Sequence, residues 1–372
     1  MDGGVIVIDS SFWKDKKVFI TGHSGFKGSW LSLWLSMMGA AVTGYALRPP
    51  SAPNLFGLCG IDQLIRSELG DVNDRTRLSR VLIESDPDVI LHMAAQPIVR
   101  ESYQYPVETY LTNVMGTVHV LDAVRELLAA NPIKRRAFVN VTTDKVYDNA
   151  EQIWGYREYD RLGGYDPYSN SKACSELVTA AYRDSYYNPG DYQKHQLAVA
   201  TARAGNVIGG GDWAAHRLIP DSMRALIDDQ EIELRNPSSI RPWQHVLEPL
   251  SGYLLLAEHL VNSGPEYSGA WNFGPKESSY RQTEWIVREI CGLWGGQARY
   301  KNVPQDNSLH ETRILKLDYT KAHVHLKWAP RWELGQVLES IVEWTKAYVR
   351  GENMRTVTAR QIEAYLSEGS GR

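Results

Sequence analysis

The segment Thr21-Gly-His-Ser-Gly-Phe-Lys-Gly28 carries three glycines at intervals of three residues and lies between two apolar runs. The run Lys17-Val-Phe-Ile20 precedes it, and residues 29–38 continue as an apolar stretch of helical length. A strand, a glycine turn and a helix in this order predict a dinucleotide-binding turn. The first glycine permits the tight turn, the second admits a pyrophosphate close to the backbone, and the third lets the helix pack on the strand.

The start of the following helix predicts how a dinucleotide would be held. Its unpaired N–H groups and positive dipole end favour a phosphate. Lys27 fits either a phosphate contact or a solvated side chain, and a glycine-rich turn without any ligand is the alternative for the whole segment. The residues predicted to border the cofactor here are Gly22, His23, Ser24, Gly25, Phe26, Lys27 and Gly28.

The composition excludes several classes of protein. With a formal net charge of −4 over 372 residues, the chain is not expected to bind nucleic acid or a membrane surface. Its three cysteines lack metal-ligand spacing and are too few for a disulfide scaffold, which predicts no metal and suits a reducing cytoplasm. Residues 1–12 show no signal-peptide pattern, and the longest apolar run, 28–41, is too short and too interrupted to span a membrane.

Short β-branched runs alternate with helical-period stretches through the first half of the chain. This alternation predicts an α/β fold with a doubly wound, mostly parallel Rossmann sheet. The predicted strands cover residues 17–21, 41–46, 65–69, 89–92, 136–142 and 197–203, and the predicted helices cover 25–38, 74–84, 107–130 and 166–187. The pattern becomes irregular after Gly205. We therefore predict a dinucleotide-binding domain over residues 1–203 and a smaller C-terminal substrate-binding domain over 204–372, with parts of 240–280 returning to the first.

The residues after the second predicted strand leave the choice of dinucleotide open. An acidic residue about twenty positions past the glycines usually holds the adenosine ribose, but residues 45–50 contain no carboxylate. Arg48 fits either the 2′-phosphate of NADP or a solvated loop position. Further residues predicted at the cofactor, after the third and fourth strands, are Asp71, Val72, Ala94 and Ala95. Asp71 fits a helix cap as well as the adenine edge.

Tyr168 and Lys172 lie one helical turn apart at the start of a predicted helix. A lone Tyr-x-x-x-Lys pair is a weak signal, but at this distance after a glycine fingerprint it predicts redox chemistry on a hydroxyl group. A phenol ordinarily has a pKa of about 10. A neighbouring ammonium and an oxidised nicotinamide would lower the pKa of Tyr168, which could then take a hydroxyl proton while hydride leaves the same carbon.

Over nearly its whole length the chain resembles the extended short-chain dehydrogenase/reductases that act on nucleotide sugars, and most of all their CDP-glucose 4,6-dehydratase branch. The resemblance is carried by residues 21–30, 143–145, 168–172 and 241–249. Related dTDP- and GDP-sugar dehydratases have Thr-Asp-Glu or a similar triplet where this chain has Thr143-Asp144-Lys145, and the lysine points to the CDP-sugar branch. The resemblance implies NAD as cofactor, so NAD is expected in spite of Arg48.

The resemblance also implies catalytic roles for five residues. Tyr168, held by Lys172 and with Thr143 near the 4-hydroxyl of the sugar, would oxidise C4 to a ketone. Lys145 would remove the C5 proton and a protonated Asp144 would protonate the departing 6-hydroxyl; hydride then returns to C6, leaving a 4-keto-6-deoxy sugar. To act as a base, Lys145 needs a pKa below its ordinary value of about 10.4. Pairing with Asp144, or stabilising the enolate, is the alternative role for Lys145.

Further residues are expected to hold the nucleotide sugar. The family implies that Asn206 contacts the pyrophosphate and that Arg217 and Arg241 lie near the phosphates and base. Arg241 is the strongest of these candidates because a guanidinium matches phosphate geometry in bidentate fashion, whereas Arg217 fits a surface arginine equally well. Gln96 is a further predicted substrate contact, and His245 is expected to pack structurally.

Two other functions fit the same fold. A 4-epimerase or reductase needs neither an acid for the 6-hydroxyl nor a base for C5, so the adjacent Asp144 and Lys145 favour a lyase. A non-catalytic NAD-sensing protein has no need of Tyr168 and Lys172 together. The family further implies deoxysugar synthesis for lipopolysaccharide O-antigen, and a homodimer or homotetramer in which helices 107–130 and 166–187 pair across subunits. Core packing alone would also explain the apolar stripes of these helices.

Overall fold

The computed structural model describes residues 8–132, 134–304 and 314–368. The strands within these ranges are β1 (Lys17–Thr21), β2 (Ala41–Ala46), β3 (Arg66–Leu69), β4 (Val89–His92), β5 (Arg136–Val141), β6 (Leu197–Ala204), β7 (Val207–Ile208), β8 (Ile232–Leu234), β9 (Ile240–Pro242), β10 (Gln244–His245), β11 (Gly269–Phe273), β12 (Tyr280–Gln282) and β13 (Tyr300–Asn302). The α-helices are α1 (Ser10–Trp13), α2 (Phe26–Met37), α3 (Leu55–Leu58), α4 (Arg75–Ser85), α5 (Val99–Gln104), α6 (Pro106–Tyr110), α7 (Gly116–Ala130), α8 (Pro167–Ser185), α9 (Tyr192–His195), α10 (Leu218–Ile227), α11 (Leu247–Ser263), α12 (Thr283–Trp294), α13 (Thr320–Leu326), α14 (Leu334–Val349) and α15 (Met354–Ser367).

Seven of these strands form one sheet in the order β11-β6-β5-β4-β1-β2-β3. Every neighbouring pair in it is parallel. The chain first runs outward through β2 and β3 and then crosses to β4 on the other side of β1. Such a reversal leaves a crevice beyond the carboxyl ends of β1 and β4, which is where open α/β sheets bind their ligands. The predicted doubly wound parallel sheet is confirmed.

Each face of the sheet packs in an apolar cluster, because successive side chains of a strand point to opposite faces. Phe19 of β1 packs in one cluster with Leu78 of α4. Its neighbours Val18 and Ile20 belong to the other cluster, together with Trp30 of α2. Helices therefore lie on both faces, and the glycine turn at the end of β1 is held between two packed layers.

The predicted helix over residues 107–130 differs from the observed one. It is interrupted by a π-helical turn, Leu111–Met115, between α6 and α7. Asn113 within this turn is buried, and its amide accepts a hydrogen bond from Gln96 N at 2.8 Å and donates to Ser171 Oγ at 2.9 Å. These tertiary hydrogen bonds accompany the widened turn, which the helical periodicity of the sequence does not reveal.

The second half of the chain forms three two-stranded ladders, β7 with β10, β9 with β12 and β8 with β13, flanked by α10, α12, α14 and α15. Its apolar side chains, including Leu254 of α11 and Leu338 of α14, join the same cluster as Trp30. The division into two domains at residue 203 stays a prediction. Within the described ranges, no helix is both long and apolar enough to cross a lipid bilayer.

Candidate active site

Two of the three glycines in the turn, Gly22 and Gly28, have no room for a side chain, and the third, Gly25, is the N-cap of α2. Gly22 has φ +81°, and a Cβ there would lie 2.8 Å from the backbone N of Ala94. A Cβ on Gly28 would lie 2.2 Å from the carbonyl oxygen of Gly22. Gly25 is the N-cap of α2 and provides no side-chain hydrogen bond to the first turn. The start of α2 therefore keeps its N–H donors for a ligand, and these residues fit the pyrophosphate of a dinucleotide.

The end of β4 is tied to the glycine turn through Thr21. The Thr21 hydroxyl accepts hydrogen bonds from the backbone N of Met93 and of Ala94, at 3.0 and 3.1 Å, and lies 2.7 Å from His92 Nδ1. Burial, followed by the charge of Lys172, lowers the pKa of His92 to about 3. A neutral His92 thus holds the small residues that follow β4 beside the crevice.

Two predicted cofactor residues use their side chains to pack the turn. His23 is fully buried, with Nε2 2.7 Å from Ser67 Oγ, and burial lowers its pKa to about 4. Its ring fills the space where a Cβ on Gly44 would lie, 2.2 Å away. Ser24 Oγ donates to the carbonyl of Leu47 at 2.7 Å. These side chains fix the turn to β2 and β3, so any contact of theirs with the cofactor would come from the backbone.

The predicted adenosine contacts lie near the ends of β2 and β3. Arg48 is exposed, as the solvated-loop alternative expects. The Asp71 carboxylate accepts from the backbone N of Asn73 at 2.9 Å, and Val72 is buried. The N-cap of α4 is Asp74. The helix-capping alternative for Asp71 is therefore wrong, and its adenine contact stays a prediction.

Thr143, Asp144 and Lys145 form a tight turn directly after β5. The Thr143 hydroxyl donates to Asp144 Oδ1 at 3.0 Å and accepts from the backbone N of Lys145 at 3.4 Å. Asp144 is 2% exposed, and its carboxyl group lies so close to Gly205 that a Cβ there would be 2.3 Å from Oδ2. Burial raises the pKa of Asp144, against the opposing effect of Lys145. A carboxyl group in this environment can hold a proton and act as an acid.

Several cations surround the Asp144 carboxyl group. Burial lowers the pKa of Lys27 to about 8, and the charges of Arg217 and Lys172 act in the same direction. The Asp144 charge opposes that lowering, and Lys27 and Arg241 in turn lower the pKa of Asp144. Lys27 is partly buried, and its ammonium lies within electrostatic reach of Asp144, Lys172 and Arg217, so its phosphate contact stays a prediction. This positive lining suits a substrate that carries two phosphates.

The tyrosine and lysine of the Tyr-x-x-x-Lys pair both face the end of β5. Lys172 is buried, and its Nζ donates to the carbonyl of Val141 at 3.1 Å. Burial lowers its pKa to about 8, while the charge of Glu176 acts in the opposite direction. Burial also raises the pKa of Tyr168 to about 12, against a hydrogen bond with Thr143 and the charge of Arg217.

The expectation that Lys172 holds Tyr168 is not met by a direct hydrogen bond, while the lowered pKa expected for Tyr168 beside an oxidised nicotinamide stays a prediction. Within the described residues, no hydrogen bond joins the Tyr168 hydroxyl to the Lys172 amine, whose bond goes to Val141. In the chain alone, burial raises the pKa of Tyr168 by more than the neighbouring cations lower it. A phenolate near neutral pH therefore requires the additional positive charge of an oxidised nicotinamide.

The predicted substrate residues differ in how their side chains are used. The Gln96 amide donates to the carbonyl of Ile98 at 3.1 Å and to Thr109 Oγ1 at 3.0 Å. Its side chain therefore stabilises the loop that contains it. Asn206 is partly buried between β6 and β7. Their substrate contacts stay predictions.

Arg241 stands directly opposite Arg281 in the antiparallel pair of β9 and β12. Sequence reasoning missed Arg281 because nothing in the primary sequence pairs these two residues. Like charges directly opposite each other are unfavourable, and the Arg281 guanidinium lies 5.7 Å from the centre of the Trp285 ring. His245, by contrast, packs as predicted, with its ring 5.6 Å from that of Trp30 and 4.7 Å from that of Trp332.

Comparison with known proteins agrees with this geometry. A curated CDP-glucose 4,6-dehydratase of Salmonella typhimurium is 52% identical over 361 residues, which cover 97% of this chain and 99% of the relative. A solved UDP-glucose 4-epimerase of Stenotrophomonas maltophila with bound NAD has a TM-score of 0.76 and 20% identity, covering 90% of this chain and 99% of that one. A dTDP-glucose 4,6-dehydratase of Bacillus anthracis in complex with NAD has a TM-score of 0.71 and 22% identity, covering 92% and 99%. The family model described as GDP-mannose 4,6 dehydratase matches residues 19–341, and the chain belongs to this family.

Proposed function

We propose that this chain is an NAD-dependent hydro-lyase that converts CDP-glucose to CDP-4-keto-6-deoxyglucose. The observation that carries the proposal is the position of Thr143, whose hydroxyl donates to the buried carboxyl group of Asp144 and also acts to lower the pKa of Tyr168. Thr143 thus lies between Tyr168, which is suited to oxidation at C4, and Asp144, which is suited to protonating the departing 6-hydroxyl. The 52% identity to a CDP-glucose 4,6-dehydratase supports the choice of substrate.

Oxidation at C4 uses Tyr168, Lys172 and Thr143. The glycine turn of residues 22–28 would hold NAD, which would supply the hydride acceptor for C4 and the hydride donor for C6. The Tyr168 oxygen takes the proton of the 4-hydroxyl, and the Thr143 hydrogen bond orients it. The Lys172 ammonium, anchored on the carbonyl of Val141, adds positive charge beside the developing anion.

Elimination of water uses the two residues that follow Thr143. The C4 ketone acidifies the C5 proton, which Lys145 removes as the base. Asp144, whose pKa is raised by burial, donates its proton to the departing 6-hydroxyl. The acid and the base are adjacent in the chain, so both can reach neighbouring carbons of one hexose.

The diphosphate of the substrate is held by the cations of the crevice. Arg241 and Arg281, which face each other across β9 and β12, provide two guanidinium groups for the phosphate oxygens. Lys27 and Arg217 add charge from the side of α2 and α10, and Asn206 donates a hydrogen bond from the end of β6. The assignment of cytosine as the base of the substrate rests on the similarity to the CDP-glucose 4,6-dehydratase.

A single assay tests this function. The purified protein is incubated with CDP-, dTDP-, UDP- or GDP-glucose and with no cofactor, NAD or NADP, and products are followed by mass spectrometry. Loss of one water from CDP-glucose, supported by NAD, is expected. An isomer of unchanged mass would indicate an epimerase, and no reaction with any substrate would indicate a non-catalytic NAD-binding protein.

The biological setting follows from the same substrate. A 4-keto-6-deoxy sugar nucleotide would feed deoxysugar synthesis for lipopolysaccharide O-antigen in the cytoplasm, as the family implies. A homodimer or homotetramer is supported by exposed apolar side chains on the helices predicted to pair, among them Val107, Leu111, Met115 and Leu177.

A further inference from the structure

Glu176 on α8 and Arg203 on β6 form a buried ion pair that the reaction described above does not use. Each side chain is 3% exposed. Arg203 contacts the carboxylate in bidentate fashion, from Nε to Oε1 and from Nη2 to Oε2, both at 3.0 Å. Hydrophobic residues of similar volume often stabilise a core as well as such a pair does. The position of the pair therefore calls for an explanation other than stability.

The carboxylate of Glu176 continues the row of functional side chains on α8. Three residues at helical spacing on one face of α8 contact the end of β5, namely Tyr168, Lys172 and Glu176. Lys172 bonds the Val141 carbonyl at 3.1 Å, and Glu176 accepts from the Thr142 hydroxyl at 2.5 Å. Tyr168 hydrogen-bonds with Thr143. Three turns of α8 thus contact the successive residues 141–143, which are the last residue of β5 and the two residues after it, and this fixes the position of α8 against that end of the strand.

Arg203 extends the same network to the turn that carries the acid and the base. Its Nη1 donates to the Tyr147 hydroxyl at 2.8 Å and to the carbonyl of Glu158 at 3.0 Å. Tyr147 follows Lys145 by two residues and is itself buried. One ion pair therefore joins α8, the end of β5 and the exit of the 143–145 turn.

We propose that Glu176 and Arg203 are positioning residues, which hold the Tyr168–Lys172 face of α8 and the 143–145 turn in fixed positions relative to each other. The inference rests on the roles of Tyr168 and Lys172 in the proposed function. Neither member of the pair needs to touch the substrate, because each acts through a residue that does.

The electrostatic part of this role has a defined sign. The charged groups facing Lys172 are Glu176 on its own helix and Lys27 on α2, while His92 at the end of β4 is neutral. Burial holds the pKa of Lys172 at about 8, and the negative charge of Glu176 opposes that lowering. Removing this charge lowers the pKa of Lys172 further, so its ammonium is lost at a lower pH. The alkaline limb of the pH–rate profile should then move to lower pH.

The test compares Glu176→Gln with a matched control, Glu248→Gln. Glu248 is equally buried and accepts hydrogen bonds from Tyr365 Oη at 2.7 Å and from two backbone N–H groups, but it belongs to α11. Glu176→Gln should lower kcat on the order of tenfold or more with KM changed less than about twofold, since positioning acts on the transition state. It should also shift the alkaline limb, whereas Glu248→Gln should alter thermal stability without moving that limb.

Thr142→Val keeps the test decisive if Glu176→Gln does not fold. This variant removes the tie between β5 and Glu176 and leaves the ion pair intact, so kcat should fall while the melting temperature stays close to that of the wild type. Wild-type kcat and pH profile in Thr142→Val and in any folded Glu176→Gln protein would overturn the inference. Full activity of Lys172→Met would instead refute the proposed function's assignment of Lys172, which separates the two failures.

Discussion

At the scale of single residues, burial gives Asp144 the properties of a proton donor. Asp144 is 2% exposed, and desolvation raises its pKa although Lys145, Lys27 and Arg241 all act to lower it. A carboxyl group on the surface beside the same cations would remain ionised at neutral pH and could not donate a proton. Burial after β5 therefore converts an ordinary aspartate into a candidate general acid.

Lys145→Ala should separate the two halves of the reaction. Tyr168 and Thr143 remain in place in this variant, so C4 oxidation should proceed while removal of the C5 proton stops. Rapid mixing with CDP-glucose and NAD should show absorbance of the reduced nicotinamide that persists, with turnover reduced about a hundredfold or more, as expected for loss of a general base.

Lys301→Ala, on an exposed position of β13, is the control and should turn over like the wild type. Normal turnover of Lys145→Ala would remove Lys145 as the base and favour its alternative role as a partner of Asp144.

The residues of the site could be predicted from sequence only where a motif names them. Tyr168, Lys172 and Asp144 belong to short motifs, and the structure brings their neighbourhoods together at the end of β5. Glu176 and Arg203 lie in a helix and a strand with no motif around them, and their pairing depends on the packing of α8 against β6. The burial that raises the pKa of Tyr168 is likewise a property of the folded chain.

At the scale of secondary-structure elements, the contact between α2 and β1 decides whether a dinucleotide can bind. Gly28→Ala would place a methyl group 2.2 Å from the carbonyl oxygen of Gly22, a rigid backbone atom. We expect α2 to be displaced, with stability lowered by about 1–3 kcal/mol or more and NAD binding lost. Fluorescence titration with NAD and thermal unfolding measure the two effects.

Gly335→Ala is the matched control, because Gly335 also lies in the first turn of a helix, α14, and a Cβ there meets nothing within 4 Å. This substitution should stabilise the protein by about 0.5–1 kcal/mol through helix propensity and leave NAD binding unchanged. Wild-type NAD affinity in Gly28→Ala would contradict the close approach of α2 to the turn.

Element boundaries were predictable where a short run of buried apolar residues lies between two turns. β1, β2 and β4 have the predicted limits, because each is a short apolar run with a turn on both sides. The π-helical turn Leu111–Met115 was missed, since it accompanies hydrogen bonds from Asn113 to distant residues. The small ladders of the second half were also missed, because strands of two or three residues carry no measurable periodicity.

At the scale of the whole molecule, buried neutral histidines connect stability to pH. Burial lowers the pKa of His23 to about 4 and of His92 and His245 to about 3, from an ordinary value of 6.5. The unfolded chain binds more protons than the folded chain between these values. The stability that these residues contribute is complete above pH 6.5 and is lost as the pH falls toward 3.

His245→Phe tests this linkage while keeping an aromatic ring between Trp30 and Trp332. The variant loses the acceptor for the backbone N of Leu247 and should be less stable at neutral pH. Its stability deficit relative to the wild type should shrink between pH 6.5 and 4 by up to about 1.4 kcal/mol per pH unit, because unfolding of the wild type takes up one proton there that unfolding of the variant does not. Urea unfolding at a series of pH values measures the gap. A gap that is constant with pH would show that His245 does not remain neutral in the folded protein.

The last prediction concerns assembly and the exposed surface of the helices that are predicted to pair. Val107, Leu111 and Met115 follow one another at four-residue spacing and are 72%, 45% and 42% exposed, and Leu177 on α8 is 58% exposed. A second copy of the same surface would bury these side chains, at about 1.5–3 kcal/mol for each large one fully covered. Leu111→Lys combined with Leu177→Lys should therefore convert a dimer or tetramer into a smaller species in size-exclusion chromatography with light scattering.

Ile153→Lys is the matched control for that experiment, because Ile153 is 75% exposed but lies in the loop before α8 rather than on either helix. Its substitution should leave the assembly unchanged, since a charge introduced on a surface that stays in water costs little. A wild-type chain that elutes as a monomer at micromolar concentration would leave the helical apolar side chains without a partner. A monomer produced by Ile153→Lys instead would place the interface on the 150–165 loop.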